Sequence, residues 1–87
     1  MEYVIERELL QNFGYPICYV IDVENTFEDA LVLAQLYAEE HWKQVYGKKI
    51  PILAETKDIM GRVDGYMFYT TNATRVIYDV VPRRWGY

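Results

Sequence analysis

The sequence predicts an α+β fold: one domain over residues 1–87, with an antiparallel sheet of three to five strands and one long helix packed on one face. A chain of this length supports one hydrophobic core. Residues 15–23, YPICYVIDV, alternate apolar side chains with the period of a strand. Residues 26–46 repeat them at helical spacing instead. Residues 63–82, VDGYMFYTTNATRVIYDVVP, have the pattern of two strands joined by a turn.

The predicted helix has defined ends and a defined inner face. Asn25 or Thr26 can cap its first turn, and Asp29 completes a capping box from Thr26. Gly47 supplies a left-handed stop. Small residues at the centre of the inner stripe allow close approach to the sheet. The stripe consists of Phe27, Ala30, Leu31, Ala34, Tyr37, Ala38, His41 and Val45.

The same helix carries apolar residues outside this stripe. Val32 and Leu36 point to the opposite side, and Leu33 lies nearby. Adjacent exposed apolar residues on one helix form a patch, and such patches often mark contact surfaces. We therefore predict Val32, Leu33 and Leu36 as a candidate self-association surface, through which the chain could form a homodimer.

The segments around these elements are less strongly determined. Residues 2–10 fit either a strand or a short helix, although the Asn-Gly-Pro spacing within 12–16 suits a hairpin connection and favours the strand. Residues 50–56, IPILAET, predict a further strand, and residues 57–65, KDIMGRVDG, a flexible loop. The tail at 82–87 has no periodicity and is expected to lie along the surface.

Charge is distributed unevenly along the chain. The net charge is −4, but residues 1–42 contain nine acids and one base, whereas residues 43–87 contain eight bases and four acids. This asymmetry predicts one acidic and one basic surface, provided that folding does not interleave the two halves.

Few residues are available for catalysis. The chain has no serine, one cysteine and one histidine, so a nucleophile–base pair would have to combine Cys18 and His41. We expect His41 to be a packing residue of the helix stripe, and Cys18 to be a small buried hydrophobe. Glu39 and Glu40 would need a cleft that so small a fold hardly provides. We expect no enzymatic activity, no metal and no cofactor.

Composition also bounds the location. The longest apolar runs are far shorter than the roughly 20 residues of a membrane helix, so no membrane partner is expected. A single cysteine fits a reducing compartment, and we expect the protein to be cytoplasmic.

Aromatic residues point to binding instead. Nine tyrosines and two tryptophans are many for this length, and both residue types anchor protein interfaces. One helix can cover only one face of the sheet, so we expect the other face to present anchors to a protein partner, while acids at the rim steer its approach. Alternatively, the extra aromatics pack against the loop and the tail. The predicted anchors come from Tyr66, Tyr69 and Tyr78, depending on the register of the strands, and the steering acids are Glu39 and Glu40.

In size, acidity and element order the chain resembles small phage-encoded inhibitors of bacterial defence, anti-CRISPR proteins in particular. The stretches that carry this resemblance are the strand–cap–helix YVIDVENTFEDALVLA and the aromatic hairpin GYMFYTTNATRVIYDVV. The resemblance implies a non-catalytic protein without cofactors that binds a host defence complex and blocks its DNA or nuclease. It assigns no binding residue, because such proteins share no signature motif.

The alternative function is a small nucleic-acid-binding or transcription-regulatory protein that uses the basic C-terminal half. An isoelectric point near 4.8 opposes it, since phosphate backbones select positive surfaces. We expect no binding to DNA or RNA near physiological salt.

Overall fold

The computed structural model describes residues 2–11, 14–47 and 53–83, and within them it contains one helix and one five-stranded sheet. The elements are β1 (Tyr3–Leu10), β2 (Ile17–Glu24), α1 (Phe27–Tyr46), β3 (Ala54–Lys57), β4 (Val63–Tyr69) and β5 (Arg75–Pro82). The strand order is β2-β1-β5-β4-β3, and all neighbouring strands are antiparallel. The predicted α+β class is confirmed.

The first strand was the open question of the sequence, and it is a strand. β1 lies between β2 and β5, so the N-terminal segment forms the inner part of the sheet. Its register with β2 shifts after Ile5, where Ile21 of β2 has no residue opposite. Such a bulge bends the strand and increases its twist.

The helix ends where local chemistry predicts. Thr26 Oγ1 accepts a hydrogen bond from the Asp29 backbone N–H at 3.1 Å, and Asp29 and Glu28 favour the positive end of the helix dipole. At the other end Gly47 has a φ of 81°, and its N–H donates to the Lys43 carbonyl at 2.8 Å. A positive φ is accessible to glycine without steric cost, so the chain leaves the helix here.

The core lies between α1 and one face of the sheet. Ala30, Ala34 and Ala38 are buried at the contact, where their small side chains let the helix approach the strands closely. This confirms the centre of the predicted stripe. The buried residues of the sheet that pack against α1 are Ile5, Phe68, Val76, Tyr78 and Val80.

Residues 57–65 do not form the expected flexible loop. β3 ends at Lys57 and β4 already begins at Val63, so a tight turn connects them. The Asp58 carboxylate holds this turn, because it accepts hydrogen bonds from the backbone N–H groups of Met60 and Arg62 at 2.9 and 3.0 Å. The predicted surface tail and the start of the IPILAET segment fall largely outside the described residues.

The register determines which side chains face away from the helix. Tyr66 lies opposite Tyr78, and both side chains face α1. The pairs on either side of them, Gly65–Asp79 and Met67–Ile77, point to the other side of the sheet. We call that other side of the sheet the open face; Val4, which the ladder places at one end of it, is buried. Its central residues are Glu6, Glu8, Cys18, Val20, Gly65, Met67, Tyr69, Arg75, Ile77 and Asp79.

Candidate protein-binding surface

Carboxylates from separate strands meet in the middle of the open face. Glu6 of β1 lies directly opposite Asp79 of β5, with Glu8 further along the same side of β1. Asp64, at the bulge between β3 and β4, accepts a hydrogen bond from Thr56 Oγ1 at 2.7 Å. We call Glu6, Glu8, Asp64 and Asp79 the acidic centre.

Burial and the neighbouring acids together change the protonation of Asp79. Burial, followed by the negative charges of Glu6, Asp64 and Glu8, raises the pKa of Asp79 from 3.8 to about 7. Near neutral pH this carboxyl therefore exchanges between its protonated and ionised forms. The sheet holds these acids together although their ionised forms repel one another.

Gly65 makes room for this arrangement. It lies opposite Asp79, and a Cβ at position 65 would be 2.4 Å from the Tyr78 carbonyl oxygen and 2.7 Å from the Asp79 Cα. β4 and β5 thus approach each other closely beside the acidic centre. Neither Gly65 nor Asp79 was predicted as part of a site, although the alternation of RVIYDVV separates Asp79 from the apolar row Val76, Tyr78 and Val80.

Cys18 lies on the open face and is exposed, so the expectation that it is buried is wrong. Its thiol donates a hydrogen bond to Glu6 Oε2 at 3.0 Å. Partial desolvation, this hydrogen bond and the charge of Glu6 raise the pKa of Cys18 to about 12. The thiolate needed for nucleophilic chemistry is therefore scarce at neutral pH. His41 lies on α1, on the other side of the sheet, so the two residues form no pair.

The acidic and basic halves of the chain interleave. The central position of β1 brings N-terminal acids beside C-terminal bases, with Arg75 3.7 Å from Glu8 and Arg83 2.8 Å from Glu2. Arg62 pairs locally with Asp58. The condition for separate acidic and basic surfaces, that folding keeps the two halves of the chain apart, is therefore not met.

Only one of the predicted tyrosine anchors lies on the open face. Tyr78 is 4% exposed and packs beneath α1, and Tyr66 also packs against the helix-side core. Their expected placement on the uncovered face is wrong, because both occupy the helix-facing row of the ladder. Tyr69 occupies the opposite row, beside Arg75, and is 54% exposed.

The predicted steering acids lie on the helix rather than beside Tyr69. Glu39 and Glu40 line a shallow depression of about 360 Å³ together with Leu33, Leu36, Tyr37 and Lys43. Val32 and Leu36 are exposed on this side, as expected, whereas Leu33 is partly buried against the core. We call Val32, Leu33 and Leu36 the helix patch. It and the open face lie on opposite sides of the molecule.

His41 occupies a small polar cavity between α1 and the sheet. Its Nδ1 lies 2.7 Å from the Tyr78 hydroxyl, and its ring contacts Phe68 edge-on at 5.2 Å. Burial, with a smaller contribution from the Arg7 charge, lowers the pKa of His41 and keeps it neutral near pH 7. Its position on the inner face of α1 agrees with the sequence. The lining of this cavity, which measures about 180 Å³, comprises Arg7, Tyr37, Glu40, His41, Gln44 and Tyr78.

Replacing His41 with glutamine is expected to lower the free energy of unfolding by about 1–2 kcal/mol, because the Tyr78 hydroxyl loses its hydrogen bond to the imidazole and the ring contact with Phe68 disappears. Urea unfolding at pH 7 measures this difference. The matched control is Gln44→Ala on the exposed rim, which should change stability little. An unaltered stability of the His41 variant would show that the hydrogen bond does not hold the helix to the sheet.

Within residues 2–11, 14–47 and 53–83, no three His, Cys, Asp or Glu side chains are placed to hold a metal ion. No helix in this part of the chain is both long and apolar enough to cross a membrane. Comparisons with protein-family models, curated proteins and solved structures found no significant match to this chain.

Proposed function

We propose that this chain is a non-catalytic protein-binding module that docks its open face on a basic surface of a nucleic-acid-handling complex and blocks that complex. The observation that carries the proposal is geometric: Glu6 lies directly opposite Asp79 on the face that α1 does not cover, with Glu8 on the same side of β1, and the charges of these acids add to burial in raising the pKa of Asp79. Positive side chains of a partner would relieve this repulsion and favour ionised Asp79. The resemblance to anti-CRISPR proteins suggests an RNA-guided defence complex as the target.

The residues around the acidic centre support a specific contact rather than charge attraction alone. Met67 and Ile77 form a half-buried apolar pair in the ladder, and Tyr69 is exposed beside it. Aromatic side chains at such positions commonly anchor interfaces, while the acids mainly accelerate association. We therefore assign the anchoring role to Tyr69 and the steering role to the acidic centre.

The positive side chains of the described residues give no support to the alternative function, direct binding of nucleic acid. Arg62, Arg75 and Arg83 each pair with a carboxylate, so their charge is partly neutralised. The acidic centre would also repel phosphate groups. The high pKa of Cys18, and the packing of His41 against Phe68 and Tyr78 on the other side of the sheet, favour a non-catalytic role.

The proposal is tested by measuring target-DNA binding by a panel of purified RNA-guided nuclease complexes in the presence of this protein. We expect near-stoichiometric inhibition of a complex in the panel. Glu6→Lys should weaken the inhibition at least about tenfold and reduce its dependence on salt, since it reverses a charge of the acidic centre. Tyr69→Ala should weaken it similarly through faster dissociation.

Glu40→Lys is the matched control, because it makes the same charge change on the exposed surface of α1. Inhibition that is lost with Glu40→Lys but kept with Glu6→Lys would assign docking to the helix side and contradict the proposal. So would a protein that inhibits no complex, or one that shifts DNA by itself at physiological salt.

A further inference from the structure

The outer edge of the sheet at β2 is exposed over its first half. β2 is the terminal strand, so within the described residues its outer backbone groups pair with no further strand. Ile17, Tyr19 and Val20 are each about half exposed, and Tyr15, just before the strand, is almost fully exposed. Unpaired backbone flanked by apolar side chains is a template for another strand.

The two halves of β2 differ in the structural features that normally prevent an edge strand from pairing with another strand. The second half has the bulge at Ile21, followed by the charged residues Asp22 and Glu24. The first half, Ile17–Val20, has no bulge, no proline and no charged residue. Natural edge strands usually carry a lysine, a proline or a bulge at such positions. The exposed half therefore has the features of an edge that another strand covers.

We propose that β2 pairs antiparallel with β2 of a second copy of this chain, across a two-fold axis perpendicular to the sheet. This operation joins the two five-stranded sheets into one continuous sheet of ten strands. In an antiparallel ladder, side chains that lie opposite each other point to the same face of the sheet. The two-fold axis must therefore pass through a pair formed by the same residue of the two copies. The proposal does not depend on the proposed function.

The distribution of charge and proline selects Tyr19 as the residue at the axis. Cys18 then lies opposite Val20 of the second copy, and Ile17 lies opposite Ile21, where the bulge ends the ladder, so all paired side chains are apolar or neutral. An axis at Val20 would place Cys18 opposite the charged Asp22. An axis at Cys18 would place Pro16 within the ladder, where its missing N–H loses a hydrogen bond.

A second copy fits this edge better than a partner chosen by charge. Residues 14–21 contain no ionisable acid or base apart from Cys18 and the tyrosines, so nothing there selects a charged partner. With Tyr19 at the axis, the acids at 22 and 24 lie beyond the paired segment and do not meet each other. The short ladder implies a modest dissociation constant, on the order of 1–100 μM.

Pairing through β2 would also place both open faces on the same side of the ten-stranded sheet. Two acidic centres would then face one partner surface, and two linked contacts bind with greater avidity than one. This consequence applies only if the open face is the docking surface, whereas the oligomeric state can be measured without any partner.

The test is sedimentation equilibrium of the full chain between about 1 and 500 μM, a range that spans the expected dissociation constant. Wild-type protein should shift from monomer to dimer. Val20→Lys should remain monomeric, with the dissociation constant raised at least about 100-fold, because a lysine at the edge opposes strand pairing. Val32→Lys, which makes the same change on the exposed helix patch, should dimerise like wild type.

The outcomes separate the two surfaces. A wild-type protein that stays monomeric throughout this range overturns the proposal. A dimer that is lost with Val32→Lys and kept with Val20→Lys also overturns it and assigns association to the helix patch. Circular dichroism of each variant should show that the fold is retained.

Cysteine cross-linking tests the register in a Cys18→Ala background. Oxidation of a Tyr19→Cys variant should give a disulfide-linked dimer, because two residues facing each other at the axis have Cα atoms about 5 Å apart. An Ile17→Cys variant should not cross-link, since its two copies would lie roughly 13 Å apart along the strands. Cross-linking of Ile17→Cys without Tyr19→Cys would overturn this pairing.

Discussion

Replacing Gly65 with alanine is expected to lower the free energy of unfolding by about 3 kcal/mol. The added Cβ would lie 2.4 Å from the Tyr78 carbonyl oxygen and 2.7 Å from the Asp79 Cα. Both are backbone atoms of the neighbouring central strand, so a rotamer change cannot relieve the overlap. The strands must separate, which disturbs both the ladder and the packing of Tyr78 beneath α1. Urea unfolding of the two proteins measures the difference.

Gly61→Ala is the matched control for this substitution. Gly61 has a positive φ of 81°, but a Cβ there would have no atom within 4 Å outside its immediate neighbours. The strain of a left-handed alanine costs about 1 kcal/mol, so this variant isolates the backbone effect from the steric one. If Gly65→Ala destabilises the protein no more than Gly61→Ala does, the close approach of β4 and β5 is contradicted.

The helix could be predicted from the sequence because its determinants are local. The Thr26 cap, the acidic first turn and the stop at Gly47 lie next to the residues that they order, and the apolar stripe needs no knowledge of the sheet. The helix therefore begins and ends within a residue of its predicted limits. The strand alternation was equally local, which is why the α+β class followed from the sequence.

The faces of the strands could not be assigned as easily. Alternation shows that Tyr69 and Tyr66 lie on opposite faces, but not which face the helix covers. For β5 a signal was present in the sequence: the row of Val76, Tyr78 and Val80 has no charge, whereas the other row contains Asp79. A carboxylate favours the uncovered row, and this would have placed Tyr78 beneath the helix.

The acidic centre depends on the sheet order, which local patterns do not contain. Glu6 and Asp79 lie near opposite ends of the chain and meet only because β1 pairs with β5. The same long-range pairing interleaves the acidic and basic halves of the sequence. The candidate site is therefore a property of topology, and residue composition could indicate only that binding was more probable than catalysis.

Lowering the pH from about 8 to about 6.5 is expected to stabilise the protein through Asp79, whereas at lower pH the protonation of His41, whose pKa the fold lowers, opposes this gain. The pKa of this carboxyl is about 7 in the folded chain and 3.8 without the fold, so between these values the folded state binds a proton that the unfolded state does not. Stability contributed by this group is therefore present at low pH and lost as the pH rises through 7. Allowing for solvent screening of a half-buried group, the loss is about 1–2 kcal/mol.

Asp79→Asn tests this linkage, because the amide has nearly the same shape and no charge. The variant should be more stable than wild type at pH 8 by a similar amount, and most of the rise in stability on acidification should disappear.

Glu40→Gln removes an exposed carboxylate of α1 and should leave the wild-type pH profile unaltered. Thermal and urea unfolding at several pH values measure both variants. A less stable Asp79→Asn at pH 8, or one that keeps the full pH dependence, would mean that the ionised form of Asp79 does not strain the fold. If the linkage holds, this face retains a charge that costs stability, as expected for a surface kept for binding rather than for folding.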